Sequence, residues 1–366
     1  MLRNHSRVSH KGAQNLLGVD LFAGAGGMSL GAMLAGISIQ LAVEKDPHAA
    51  ATYLQNHPDI VLLNQDIRTV RNILLKKPHH QTIVFGGPPC KGFSTSNQRT
   101  RTSDNPNNQL YREFLRIVRE LKADWIVFEN VKGILETEHR FFLDTILKRL
   151  SSYGYTLNWK VLNASDFGVP QNRSRLFIIG SLHGIHVEMP VGNHQAITVK
   201  EAIADLPELA NGASICRLPY KGAARTEYSR KMRGRLNESC NHLVTNNADH
   251  ILKRYRYVPP GGNWEDIPGR LMANYSNRSE CHTGIYHRLD PDLPSKVIGN
   301  YRKNMVIHPY QDRGLSVREA ARLQSFPDWF LFKGSIGFQQ EQVGNAVPPL
   351  LAKAVFDSLL KASQTS

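Results

Sequence analysis

Cysteine is scarce in this chain of 366 residues: there are four, Cys90, Cys216, Cys240 and Cys281, and no two form a C-x-x-C pair. That spacing argues against a structural zinc site, and no metal is expected. The opening stretch, Met1 to Asn15, has no apolar segment of the secretory kind, so a disulfide framework is not expected either. No run of about 18 apolar residues occurs, which leaves no transmembrane helix to expect. Internal repeats and low-complexity tracts are also missing. Acidic residues are in deficit, 31 Asp+Glu against 45 Lys+Arg, for a net charge of +14. The chain therefore reads as a soluble, cytoplasmic protein without membrane contact, and its positive excess suits a polyanionic partner.

What is present points to an α/β fold. Hydrophobic residues make up 41%, enough for a buried core, and the length suggests two domains. Short β-type runs alternate with helical patterns in the first half, as in a mostly parallel sheet. The predicted strands are 16–22, 38–43, 60–63, 82–85, 125–128, 157–162 and 176–179. The predicted helices are 27–35, 47–56, 109–121 and 140–153, followed late in the chain by 316–326 and 348–362. Ser316 with Glu319 three residues on makes a capping-box pattern, and Pro348 suits a first helical turn. An open sheet of this kind takes its ligand beyond the carboxyl ends of the strands.

From about residue 184 the character changes. The segment 211–256 holds ten Lys/Arg against three Asp/Glu, with Tyr220, Tyr228 and Tyr255 among the basic residues and Tyr257 next in the chain. It reads as a solvated, partly irregular nucleic-acid surface.

Reactive residue types gather at the predicted strand ends. The first strand runs from Asp20 through Phe22 into Gly24, Gly26 and Gly27, a turn where backbone approaches a ligand closely. A dinucleotide fingerprint would need glycine at position 29, where Ser29 stands, so a nicotinamide enzyme is disfavoured. Glu44 ends the second strand, where an acid accepts hydrogen bonds from a ribose, and Asp66 follows the third. The fourth strand leads into Gly-Gly-Pro-Pro-Cys90, and a cysteine in such a turn suits a nucleophile. Glu129 ends the fifth strand. Arg173 and Arg175 enter the last one on a single face by the period of two. A thiol, a carboxylate and two guanidiniums on one edge have no simple structural explanation.

The ordered set DLFAGAGG (20–27), GGPPCKGFS (86–94), FENV (128–131), QNRSR (171–175), REAARLQSFP (318–327) and QVGNAVPP (342–349) resembles the cytosine-C5 DNA methyltransferase family. The resemblance spans about residues 16–360, with a gap in the basic middle. It implies a Rossmann-like class I methyltransferase sheet with a smaller DNA-recognition domain. Residues 1–182 plus 336–366 would form the large domain and 183–335 the small one, with target recognition at about 183–287. The implied cofactor is S-adenosylmethionine, held by Asp20, Phe22, Gly24, Gly26, Gly27, Glu44, Asp66 and Asn345. Glu44 would take the ribose hydroxyls and Asp66 the adenine amino group, while Asn345 would return from the C-terminus to the methionine end. The implied reaction adds Cys90 to C6 of a flipped-out cytosine, with Glu129 at N3 and Arg175 at O2.

The segment Ser94–Asn108 reads as a lid, and the helix beginning near Arg318 as scaffold. Duplex DNA would meet Lys91, Ser94, Arg99 and Arg101 near the cysteine and Arg230, Lys231, Arg233 and Arg235 in the basic segment. Lys91 departs from the family's usual glutamine; its ammonium either lowers the thiol pKa or meets phosphate. A monomer of bacterial or phage origin, paired in function with a restriction endonuclease, completes the expectation. Two rivals remain: a tRNA cytosine methyltransferase, whose Cys-Phe-Thr string is absent (Cys281-His-Thr is nearest), and a non-catalytic DNA-binding regulator.

Overall fold

The strands β1 (Leu16–Leu21), β2 (Ser38–Val43), β3 (Val61–Leu63), β4 (Gln81–Gly86), β5 (Trp125–Val131), β6 (Thr156–Asn163) and β7 (Ser174–Ser181) join into one sheet. Their order is β3-β2-β1-β4-β5-β7-β6, and only β7 runs against its neighbours. The computed structural model describes residues 16–75, 80–89, 109–136, 140–273, 275, 284–299 and 301–364.

Side-chain alternation along the strands builds two layers of core. From β4 and β5, Ile83, Phe85, Trp125 and Val127 pack toward α1 (Gly27–Ala35) and the final helix. Val84, Ile126 and Phe128 point the other way, onto Phe114 and Val118 of α3 (Tyr111–Leu121) and Ile146 and Leu150 of α4 (Phe141–Ser152). The helix α2 (Pro47–Asn56) starts on Asp46, whose carboxylate accepts from His48 N and Ala49 N. Chain order reverses between β1 and β4, which opens a crevice at the carboxyl ends of these two strands.

The basic middle region, expected to be partly irregular, also carries regular elements. It holds α5 (Val199–Ile203), α6 (Glu227–Arg233), α7 (Asp249–Tyr255) and an antiparallel hairpin of β8 (Ser214–Pro219) and β9 (Glu238–Leu243). Helices this short carry too few turns for hydrophobic periodicity to register. Capping boxes at Thr198 and Thr226 supply the local signal instead.

Every residue of α8 (Val317–Leu323) is buried, and the predicted capping box of Ser316 and Glu319 is formed. Arg322 pairs with Asp205 and Asp328, while Arg318 donates to the carbonyls of Cys240, Pro327 and Phe330. This helix thus ties the hairpin and α5 to the rest, the scaffold role its sequence suggested. The chain ends in α9 (Ile336–Asn345) and α10 (Pro349–Ser363). Leu351, Val355 and Leu359 of α10 join the core shared with α1.

Candidate active site

The turn after β1 is shaped by backbone conformations that few residues adopt. Phe22 has φ +62°, Gly24 +56° and Gly26 +97°, all left-handed, a region that favours glycine and strains phenylalanine. Glu44 follows β2 directly. Its Oε2 accepts from Gly24 N at 2.7 Å and its Oε1 from Asp46 N at 2.7 Å, so one carboxylate joins the glycine turn to the start of α2. Burial raises the Glu44 pKa, opposed by those backbone N–H groups. A carboxylate oxygen has two lone pairs, so each Glu44 oxygen can still accept from a hydroxyl. Asp66 heads a 3-10 turn, Ile67–Thr69, and its carboxylate meets Arg68 Nη2 at 2.6 Å and Lys45 Nζ at 2.8 Å. Those bonds, that of Arg68 first, hold Asp66 well below the ordinary carboxylate range.

The QVGNAVPP segment returns to this turn. A Cβ on Gly27 would stand 2.4 Å from the carbonyl oxygen of Val347, so that glycine is required by close backbone approach. Asn345 itself is exposed at the end of α9.

Asp20 sits beneath the turn and is buried. It accepts from Ser29 Oγ at 2.6 Å, and burial pushes its pKa up to about 8, with the Ser29 bond opposing and Glu44 adding to the rise. Ser29 is the residue where a dinucleotide fingerprint would need glycine, and here its hydroxyl has a partner.

Glu129 lies inside β5, because antiparallel pairing with β7 carries that strand on to Val131. Arg175 Nε reaches Glu129 Oε1 at 3.0 Å, and both side chains are nearly enclosed. Arg173 is buried completely and donates through Nη2 to the carbonyl of Gly344 at 2.9 Å, while its Nε and Nη1 have no partner among the described residues. Burial raises the Glu129 pKa, and Arg175 and then Arg173 oppose the rise. A carboxyl raised by burial beside a guanidinium places an acid against an electrophilic group.

The chain leading toward position 90 lies against this group. A Cβ on Gly87 would stand 2.4 Å from Glu129 Oε2, and Asn130 Nδ2 donates to the Pro88 carbonyl at 3.3 Å. Cys90, Lys91, Ser94, Arg99 and Arg101, with the whole segment Ser94–Asn108, lie outside the described residues.

The basic residues expected to meet DNA divide. Arg230 and Arg235 are exposed. Lys231 lies beside Lys353 of α10, and desolvation first, then that like charge, lowers its pKa. Arg233 is not free: it stacks on the Tyr220 ring at 3.7 Å, donates to the Gly222 carbonyl at 2.6 Å and faces Asp205. Tyr220, Asp205 and the Gly222 carbonyl thus hold the Arg233 guanidinium within this region. The buried Ser29 and Tyr53 hydroxyls were not singled out from sequence; the serine in place of the third glycine is the signal that marks them.

A family model described as C-5 cytosine-specific DNA methylase matches residues 16–361. Among curated proteins, the chain is 39% identical to the Type II methyltransferase M1.HphI of Haemophilus parahaemolyticus, over 94% of this chain and 86% of that protein. It is 32% identical to the Type II methyltransferase M.AgeI of Thalassovita gelatinovora, over 93% and 98% respectively. A crystal structure described as a DNA modification methyltransferase encoded within an E. coli prophage superposes with a TM-score of 0.78 at 28% identity, covering 95% of this chain and 99% of that one. The S. pombe Dnmt2 methyltransferase, at 17% identity and a TM-score of 0.61, shares the fold.

Proposed function

The chain belongs to the C-5 cytosine-specific DNA methylase family, and from that membership we propose that it methylates C5 of cytosine in a specific short duplex sequence, with S-adenosylmethionine as donor. The observation that carries the reading is the enclosed Glu129–Arg175 pair, with Arg173 beside it, next to the backbone that leads to Cys90.

The crevice residues fit the cofactor. No described residue lies within 4 Å of a Cβ built on Gly24, so the left-handed turn leaves room for a ligand against its backbone. Glu44 retains lone pairs for the ribose hydroxyls, and Asp66 stays ionised to accept from the adenine amino group. Phe22, Gly26 and Gly27 would complete the cradle, with Asp20 under it and Asn345 at the methionine end. When bound, S-adenosylmethionine supplies an electrophilic methyl group.

Cytosine C5 is a weak nucleophile, and the residues at the other end of the crevice answer that problem. The Cys90 thiolate adds to C6, and the electron pair of the C5–C6 double bond moves into the ring. Protonated Glu129 donates to N3, where negative charge would otherwise accumulate, and Arg175 holds O2. C5 would then take the methyl group as its bond to the donor's sulfur breaks, and loss of the C5 proton to solvent would restore the double bond and expel the Cys90 sulfur as thiolate. The reacting atoms are stacked inside a duplex, so the base is first flipped out. Arg230, Arg235 and the basic residues Lys91, Arg99 and Arg101 would meet phosphate, with Ser94 and Lys231 nearby. The Type II names of its relatives support pairing with a cognate restriction endonuclease.

Transfer of tritium from methyl-labelled S-adenosylmethionine tests this. Duplex DNA acquires label with the wild-type chain and none with Cys90→Ala. Equal labelling by that variant would overturn the nucleophile, and labelling of RNA instead of DNA would overturn the substrate.

A further inference from the structure

The floor of the glycine turn is a chain of three buried hydrogen-bonding side chains drawn from three elements. Asp20 of β1 accepts from Ser29 of α1 at 2.6 Å, and Ser29 Oγ stands 2.7 Å from the Tyr53 hydroxyl of α2. A serine hydroxyl has one proton, so where ionised Asp20 receives it, the proton between Ser29 and Tyr53 comes from Tyr53. Tyr53 and Ser29 are fully enclosed, and Asp20 is 1% exposed, so no water competes.

The same tyrosine also touches the turn directly. A Cβ on Gly26 would lie 3.0 Å from the Tyr53 ring and 2.7 Å from His57 Nε2. His57 is neutral at ordinary pH, its pKa lowered by burial to about 4, and serves as a packing block. Tyr53 alone combines the packing with a polar link to Asp20. From the other side, Glu44 grips Gly24 and is fixed in turn to Asp46, the residue that caps α2. The helix thus holds the turn twice, once through Glu44 and once through Tyr53.

We infer that Tyr53 is a positioning residue for the cofactor cradle, acting through Ser29 on Asp20 and on the shape of the Gly24–Gly27 turn. The inference rests on the proposed use of S-adenosylmethionine and adds a residue outside the ligand's own contacts. Loss of the phenol frees the Ser29 hydroxyl to turn from Asp20, which leaves the buried carboxyl only the Ser29 backbone N–H of its two donors from that residue. The effect falls on cofactor binding and not on the chemistry at Glu129 and Arg175, which stand across the crevice.

The test uses the full chain as wild type, Tyr53→Phe, Ser29→Ala and the double variant. Cofactor Kd is measured by calorimetry, and kcat and both KM values by methyl transfer to DNA. Tyr53→Phe is expected to raise the Kd and KM for S-adenosylmethionine about threefold to tenfold, the range of one buried hydrogen bond, with kcat and the KM for DNA unchanged. The double variant should be no weaker than Ser29→Ala, because the two bonds lie in series. Wild-type cofactor affinity in Tyr53→Phe, or losses that multiply in the double variant, would overturn the inference. A fall in kcat with cofactor KM unchanged would overturn it too. If the wild-type chain binds no S-adenosylmethionine, the cofactor reading fails first and the inference with it.

Discussion

Two carboxyl groups in this crevice are driven in opposite directions, and each direction suits its proposed task. Burial raises Glu129 despite two arginines, whereas Arg68 and Lys45 hold the more open Asp66 ionised. Because the Glu129 pKa is raised, its proton is retained to higher pH than an ordinary carboxyl allows, and activity that needs that proton falls as pH rises through the shifted value. Glu129→Gln keeps an N–H donor but cannot transfer a proton or pair ionically with Arg175. It is expected to lower kcat about 10²- to 10⁴-fold and to remove the part of the alkaline decline that Glu129 causes, measured by methyl transfer between about pH 6 and pH 9. Wild-type kcat in that variant would count against a role at N3. At this scale the sequence already showed Glu129 and Arg175, since strand ends and the period of two put them on one edge. It did not show that Arg233 is claimed by Tyr220 and Asp205, residues distant in the chain and brought together only by packing.

The helices α1 and α2 were legible, with bounds that match those read from the sequence. The short helices α5 to α7 and the β8–β9 hairpin were not, because their apolar residues, Tyr228 and Met232 among them, pack against α8 and its neighbours instead of forming a stripe of their own. The join between α9 and residues 295–299 illustrates what such tertiary contact demands. A Cβ on Gly344 would stand 1.8 Å from the Gly299 carbonyl oxygen, and Ser295 pairs with the Gln171–Asn172 stretch just before Arg173. Arg173 in turn donates to the Gly344 carbonyl, so this contact links the late segment to the Glu129–Arg175 pair beside it. Gly344→Ala is expected to destabilise the fold by about 1–3 kcal/mol, read from the denaturant midpoint. An unchanged midpoint would show that the contact is not close in solution.

Across the whole molecule, the last two helices close what the first strand begins. The Val347 carbonyl meets Gly27, and α10 packs along α1, so the glycine-turn end of the crevice is built from both ends of the described chain. That return was legible only through the resemblance, because nothing in local spacing says which helix a final amphipathic stripe will meet. The charge of +14 was legible as a polyanion preference, but not the internal pairing that withdraws some of those cations. The central claim, a covalent bond between Cys90 and the base, is tested most directly with duplex DNA in which 5-fluorocytosine replaces cytosine. Incubated with S-adenosylmethionine, the wild-type chain should form a denaturant-stable adduct that peptide mass mapping locates at Cys90, because fluorine cannot leave as a proton does. Methylation of ordinary DNA without any adduct on the fluorinated duplex, or an adduct that persists in Cys90→Ala, would contradict the account.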